Sequence, residues 1–299
     1  FEDAMAQGSG VLLKSYFQEG DDSLERLDVE FGFSSFIWGH GLRQAARPVA
    51  RDYKSLLALY EFIEGRPCRK EDVSASAVEQ AARFFSDINR HKALPEAREL
   101  PPARDACFSL SDHFRLAAKR VEMLGAAQGD ALEFVNAKLV PFWDQLRKNQ
   151  PGDAGMIAEG QRCLSPSDFG FHNALVCEDG RFRFFDFEYA GWDDPAKMIA
   201  DFFSQPAVPV PEKYFDLFCE EATRSLNKDD REEVKARARQ VLAVHRLKWV
   251  CLLLNDFLPA VSERRRFALG VSAFEARKAG QLEKAQRALA ELEGGSWPT

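Results

Sequence analysis

No apolar run in this chain approaches the ~20 residues that a helix needs to cross a bilayer, and the N-terminus lacks a basic stretch followed by an apolar one. Membrane insertion and secretion are therefore not expected; the cytoplasm is the expected location. Paired cysteines are missing as well. Cys68, Cys107, Cys163, Cys177, Cys219 and Cys251 stand singly, with no CxxC pair and no histidine at zinc-ligand spacing, so neither a disulfide framework nor a zinc site is expected to organise the fold. A basic excess is absent too: the formal net charge is -7, which argues against nucleic acid as a partner. No internal repeat or low-complexity stretch stands out. The first residue is Phe1 rather than Met, which reads as a start inside a longer chain. What is present is a length of 299 residues at 45% hydrophobic content, and two lobes are expected from it.

The first 65 residues read as a small α+β unit. GVLLKSYF, entered from the turn signal QGSG, predicts a strand with Lys14 in its middle. From Asp22 to about His40 the apolar residues Leu24, Leu27, Phe31 and Trp38 follow helical spacing behind an Asp-Asp-Ser cap, and this helix carries Glu30. RPVARD and LLALYEFIEG predict two further strands. Beyond residue 65 the spacing turns helical, from Ser74 to about Asn89 and from Ser111 to about Asn149, with the proline-rich loop ALPEARELPPARD between them. One exception interrupts it: CLSPSDFGFHNALVCEDGRFRFFDFE reads as a loop, a strand, a Glu-Asp-Gly turn and a second strand. VLAVHRLKWVCLLLNDFL predicts a buried core helix, and the charged run from Asn227 to Arg239 a solvated helix face.

Polar residues concentrate in that exception. Asp168 and Asn173 share its loop, and Asp186 ends its second strand. Phosphoryl transfer to an alcohol needs a carboxylate that orients the hydroxyl and accepts its proton, and oxygen ligands that hold Mg²⁺ across nucleotide phosphates. A loop Asp, a loop Asn and a strand-end Asp supply that set.

These residues resemble those of the aminoglycoside phosphotransferase and choline kinase superfamily, in which a loop reading roughly HGDxxxxN is followed by a hairpin and a segment like IDFEYAGxGDPAxDLA. Here the chain reads SPSDFGFHN and then FFDFEYAGWDDPAKMIADFF. The resemblance implies a two-lobed protein-kinase-like fold of the α+β class, with residues 1–65 as a nucleotide-binding lobe on a small antiparallel sheet and 66–299 as a larger, mainly helical catalytic lobe. It implies an ATP- and Mg²⁺-dependent kinase for a small-molecule hydroxyl. Asp168 is the implied catalytic base, and Asn173 and Asp186 the metal ligands. Lys14 would contact phosphates with Glu30 pairing to it, and backbone groups of Glu61, Phe62 and Ile63 would hold the adenine.

Departures from the pattern leave a second reading open, a catalytically impaired kinase-like binding protein. Pro166 and Ser167 stand where the family has His-Gly, Met198 stands where DLA would place an Asp that nearby Asp201 could replace, and no glycine-rich phosphate loop is visible. Three further pairs of readings stand side by side. His172 is a general base, or it packs and hydrogen-bonds its loop. Glu188, Asp193 and Asp194 attract a cationic acceptor, or they form a solvated turn in which Asp194 precedes Pro195 at a helix start. Trp192 and Trp249 cage a quaternary amine, or they pack.

Overall fold

The computed structural model describes residues 10–16, 22–150, 152, 155–259, 261–262 and 271–295. Most of the expected QGSG turn, with Gly8, and the first cap residue Asp21 lie outside the described residues.

Strands β1 (Val11–Ser15), β2 (Pro48–Asp52) and β3 (Leu57–Glu61) form an antiparallel sheet in the order β1-β3-β2. Lys14 sits opposite Ala58 in this ladder. Side chains alternate along a strand, and in β3 this turns Ala58 and Tyr60 inward, where they meet Tyr16 and Leu27 in a small core. Leu27 belongs to helix α1 (Asp22–Gly39), whose later residues Phe33, Phe36 and Ile37 join the main core of the molecule. Helix α1 is thus shared by both cores, and its Glu30 lies where they meet.

In the remainder, β4 (Arg66–Pro67) pairs with β6 (Ala174–Val176), which pairs in turn with β7 (Phe182–Phe184). Gly180, at φ 76°, provides the left-handed residue that the Glu-Asp-Gly turn requires. β5 (Cys163–Ser165) pairs with β8 (Gly191–Asp193). Helices α2 (Ala75–Asn89) and α3 (Leu110–Met123) are capped by the hydroxyls of Ser74 and Ser109. They are followed by α4 (Val140–Lys148), α5 (Pro195–Phe202), α6 (Phe215–Ala222), α7 (Lys228–Leu253) and α8 (Val271–Glu293). No helix among the described residues is long and apolar enough to cross a membrane.

Both helical expectations hold, with detail added. The helical spacing over 111–149 does not give one helix, because Gly125 and Gly129, the latter at φ 63°, interrupt it, and a π-helical turn at Val135–Leu139 follows. The charged run and the apolar segment after it are a single helix, α7, which packs on α5, α3 and α8. Its charged half is mostly solvated as expected, but Val234, Arg237 and Ala238 are buried, and Arg237 donates to Asp194 at 2.8 and 3.0 Å. The apolar half is a core helix, yet it buries His245, Arg246 and Lys248 within it.

Candidate active site

In Asp-Phe-Gly-Phe-His-Asn the apolar members are inside and the polar ones reach the surface. Phe169 and Phe171 are buried, and Asp168, His172 and Asn173 remain half-exposed. The hairpin strand repeats the device, with Phe182, Phe184 and Phe187 inside and Asp186 outside. The inward rings mesh: Phe184 stacks on Phe84 of α2 with centroids 5.0 Å apart and meets Phe169 at 4.9 Å, and Phe187 meets Phe33 of α1 at 5.4 Å. Aromatic burial of this kind contributes ~3 kcal/mol or more for each ring against truncation to Ala. It holds the Asp168 loop and the Asp186 hairpin against one core.

Around Lys14 the charges converge. Its Nζ donates to Glu30 Oε2 at 2.6 Å and to Asp186 Oδ1 at 2.5 Å, and lies 3.8 Å from Glu188. Burial alone would lower the Lys14 ammonium, but Glu30 and Asp186 outweigh it and hold it above its ordinary value, so it stays charged. Burial pushes the Glu30 carboxyl up despite Lys14. That carboxyl also accepts from the Tyr16 hydroxyl at 2.5 Å and from the Phe187 amide at 3.3 Å. Asp186 adopts φ 69°, a left-handed backbone that costs a non-glycine residue about 1–2 kcal/mol and is a frequent mark of functional positions. A cleft of about 350 Å³ opens over these groups, with Glu61, Phe62 and Ile63 along its edge. The Glu61 and Phe62 amides already donate to Arg47 and Gly10 carbonyls at 2.8 and 2.9 Å.

Asp168 lies in a second cavity, of about 490 Å³. It accepts from His172 Nε2 at 3.2 Å and from Asn173 Nδ2 at 3.3 Å, and Asn173 Nδ2 also donates to the Asp168 carbonyl at 3.0 Å. Burial pushes the Asp168 carboxyl up, but the His172 hydrogen bond and charge win, and it titrates below the ordinary carboxylate value. Ser167, before it, takes φ 55°, steadied by its amide donating to Ser165 Oγ at 3.0 Å; glycine reaches this backbone without strain. Asn173 ties the Asp168 loop to the hairpin of Asp186. The Phe185 amide donates to its carbonyl at 3.1 Å, so Asn173 and Asp186 stand together at the open end of the β6–β7 hairpin.

Hard oxygen donors suit Mg²⁺, and the site offers them. Carboxylate oxygens of Glu30, Asp186 and Glu188 lie within 4.8 Å of one another, and Asn173, with its amide nitrogen turned to Asp168, keeps its oxygen for a further bond. Glu188 joins this cluster unforeseen, in contact with Lys14 and Arg26.

Asp193 and Asp194 form no acidic surface either. Both are fully buried: Asp193 accepts from Lys197 Nζ at 2.6 Å and from the Cys107 amide at 2.8 Å, and Asp194 caps α5 ahead of Pro195 and binds Arg237. Asp194 caps the helix as the second reading has it, but the segment is buried rather than solvated. His172 hydrogen-bonds its loop as the second reading of it had it, and its ring stands edge-on to Trp249 at 6.0 Å. Trp192 packs, donating to the Ala97 carbonyl at 2.9 Å, while Trp249 lines the Asp168 cavity. Met198 is core; Asp201, one turn on, lines the cavity with Asp168.

The Phosphotransferase enzyme family profile matches residues 7–235 of the sequence. The chain belongs to that family. No curated protein matches it. Solved structures give the fold. A choline/ethanolamine kinase family protein from Mesorhizobium loti aligns with a TM-score of 0.60 at 15% identity, covering 95% of this chain and 83% of its own. Choline kinase from Cryptosporidium parvum Iowa II aligns at 0.56 and 13%, over 94% and 83%. A spectinomycin phosphotransferase, in complex with ADP and spectinomycin, aligns at 0.56 and 12%, over 94% and 86%. The fold is that of the kinase-like phosphotransferases, as the sequence resemblance implies. At such identity the solved structures give the fold alone, and what they phosphorylate does not transfer to this chain.

Arg104, Arg120, Lys248 and Asn255, which also line the Asp168 cavity, were not among the residues singled out from sequence. Arg104 and Arg120 come from separate segments and Lys248 and Asn255 from the core helix and the turn after it, and no local pattern points them at the cavity.

Proposed function

We propose that this chain is an ATP-dependent small-molecule kinase that transfers the γ-phosphate to a hydroxyl. The observation that carries the reading is the attachment of the Asp168 loop to the Asp186 hairpin through Asn173, which bonds Asp168 and accepts from the Phe185 amide: Lys14, Glu30 and Asp186 line one cavity and Asp168 the other. Residues 1–65 form the nucleotide-binding lobe and 66–299 the catalytic lobe. The adenine lies along Glu61, Phe62 and Ile63, with the Ile63 backbone as its hydrogen-bonding partner because the two preceding amides are engaged in the sheet. Lys14, fixed by Glu30, meets phosphate oxygens. Asn173 and Asp186 hold Mg²⁺, with Glu188 in reach; the ion, when bound, withdraws charge from the phosphate oxygens. Asp168, ionised at neutral pH and aimed by His172 and Asn173, orients the acceptor hydroxyl and takes its proton. The acceptor oxygen bonds to the γ-phosphorus as the bond to the bridging oxygen breaks, and ADP leaves. The six free cysteines accord with a cytoplasmic setting.

Isothermal titration with a non-hydrolysable ATP analogue tests this. Binding should strengthen with Mg²⁺ and be lost in Asp186→Asn. Absence of binding with and without Mg²⁺ moves the protein to the alternative, an impaired kinase-like binding protein.

A further inference from the structure

Glu30 is a carboxylate nearly cut off from water, 5% exposed, and an ionised group in such a place depends on the donors that reach it. Its Oε1 takes the Phe187 amide at 3.3 Å, and its Oε2 takes Lys14 Nζ at 2.6 Å and the Tyr16 hydroxyl at 2.5 Å. A tyrosine hydroxyl has one hydrogen to give. With the Tyr16 hydrogen committed to Glu30, the 3.1 Å contact between the Tyr16 and Tyr60 hydroxyls has one direction: Tyr60 donates and Tyr16 accepts. The chain therefore runs from Tyr60 to Tyr16 to Glu30, each hydroxyl polarising the next toward the carboxylate.

The strands place both rings for this. Tyr16 follows Lys14 by two residues, so the two side chains leave the same face of the extended chain, and Lys14 Nζ stands 5.1 Å from the centre of the Tyr16 ring. The Tyr16 amide donates to the Leu56 carbonyl at 2.9 Å, which carries the pairing with β3 one residue past Ser15. Tyr60 belongs to β3 and lines the cleft directly before Glu61, Phe62 and Ile63. Both rings are buried in the small core against Leu27, which precedes Glu30 by three residues on the same side of helix α1. The rings thus hold the helix against the sheet, and the hydroxyls fix how the carboxylate is turned.

We infer that Tyr16 and Tyr60 are positioning residues for the nucleotide, acting through Glu30: their hydroxyls hold its carboxylate in the orientation that presents Lys14 to phosphate. This rests on the kinase reading above and extends it to two side chains that line or underlie the cleft without meeting phosphate themselves. Lys14 has competing partners, Asp186 at 2.5 Å and Glu188 at 3.8 Å. Asp186 is the metal ligand on that reading, which leaves Glu30 as the anchor of Lys14, and Glu30 is only as well oriented as its own donors make it.

The consequence is that phosphate binding, and not base binding, depends on hydroxyls that touch no phosphate. The full chain and its Tyr16→Phe variant are titrated with the non-hydrolysable ATP analogue in the presence of Mg²⁺, and with adenosine, which carries no phosphate. Tyr16→Phe should weaken the analogue about tenfold while adenosine stays within a factor of about two. Tyr60→Phe leaves the bond from Tyr16 to Glu30 in place and should weaken the analogue about threefold with the same contrast; it carries the test if Tyr16→Phe does not fold. An unchanged affinity for the analogue, or an equal loss for adenosine, would show that the hydroxyls only pack, and overturns the inference while the kinase reading stands. Failure of the unaltered chain to bind the Mg²⁺–nucleotide complex sinks the kinase reading and the inference with it.

Discussion

The cleft over Lys14 is walled largely by apolar side chains, Leu12, Ala46, Leu175 and Phe184 among them, whereas Arg104, Arg120, Asp201 and Lys248 wall the cavity at Asp168. The two share no lining residue. An apolar slot with one cation at its end suits a flat ring carrying a charged tail, and its requirements are fixed by one ligand. A polar cavity suits whatever complementary group its walls present, so it is the part that can diverge while the cleft stays constant. The difference explains why the cleft follows from the family pattern and the cavity does not.

The sharpest separation of the two should come from Asp168→Asn. Loss of the general base is expected to lower kcat by about 10² to 10⁴-fold while nucleotide affinity by titration stays within a factor of two or so. An equal loss in both would mean that the cavities are not functionally distinct. Next in size is Gly191→Ala. The clash with Pro101 and the unfavourable φ of 152° should cost roughly 2–4 kcal/mol in urea unfolding, with the folded fraction still binding Mg²⁺–nucleotide; an unchanged midpoint would show that the 101–104 loop is not held by this contact.

The buried histidine chain under the cavity gives a pH test. His245 bonds Asp201 on one side and, at 2.9 Å, His113 on the other. Burial is the main force lowering its pKa, from 6.5 to about 3. The folded state therefore keeps it neutral where the unfolded chain takes up a proton. Stability should be full above pH 6.5 and fall as pH drops toward about 3, by an amount on the order of a few kcal/mol. The carboxylates Asp194 and Asp201, both held below 3.8, lose their contribution only under that value. A urea midpoint flat between pH 6.5 and pH 4.5, or a slope unchanged in His245→Asn, would contradict this account. The smallest effect is expected from Ser167→Gly. Relief of the left-handed backbone should raise stability by about 1 kcal/mol or less, read as a small rise in Tm.

Legibility in the sequence tracks how local the cause is. Lys14, Glu30, Asp168, Asn173 and Asp186 sit in contiguous segments whose strand, helix, loop and hairpin signals are each carried by neighbouring residues, and the structure brings Lys14, Glu30 and Asp186 into one contact set and Asp168 and Asn173 into another. Glu188 was legible as acidic but not as to its partner, since Lys14 reaches it only through the folding of β1 onto the hairpin. Asp193 and Asp194 misled because acidic residues near a motif read as surface; only burial by Arg237 and Lys197, from helices α7 and α5, shows them as internal anchors. The cavity wall was invisible because Arg104, Arg120 and Lys248 come from a loop and two helices far apart in sequence, and no periodicity records their meeting.

The Phe169–Phe184–Phe84 clasp joins the loop of the candidate base to the hairpin of the candidate metal ligands through a single aromatic body. Neither segment can open without separating these rings. Amide hydrogens on the two segments, such as those of Asn173 and Phe185, which already bond to Gly170 and Asn173, should therefore exchange as one protected unit, at a rate set by the opening of the main core rather than by local fraying of a surface loop.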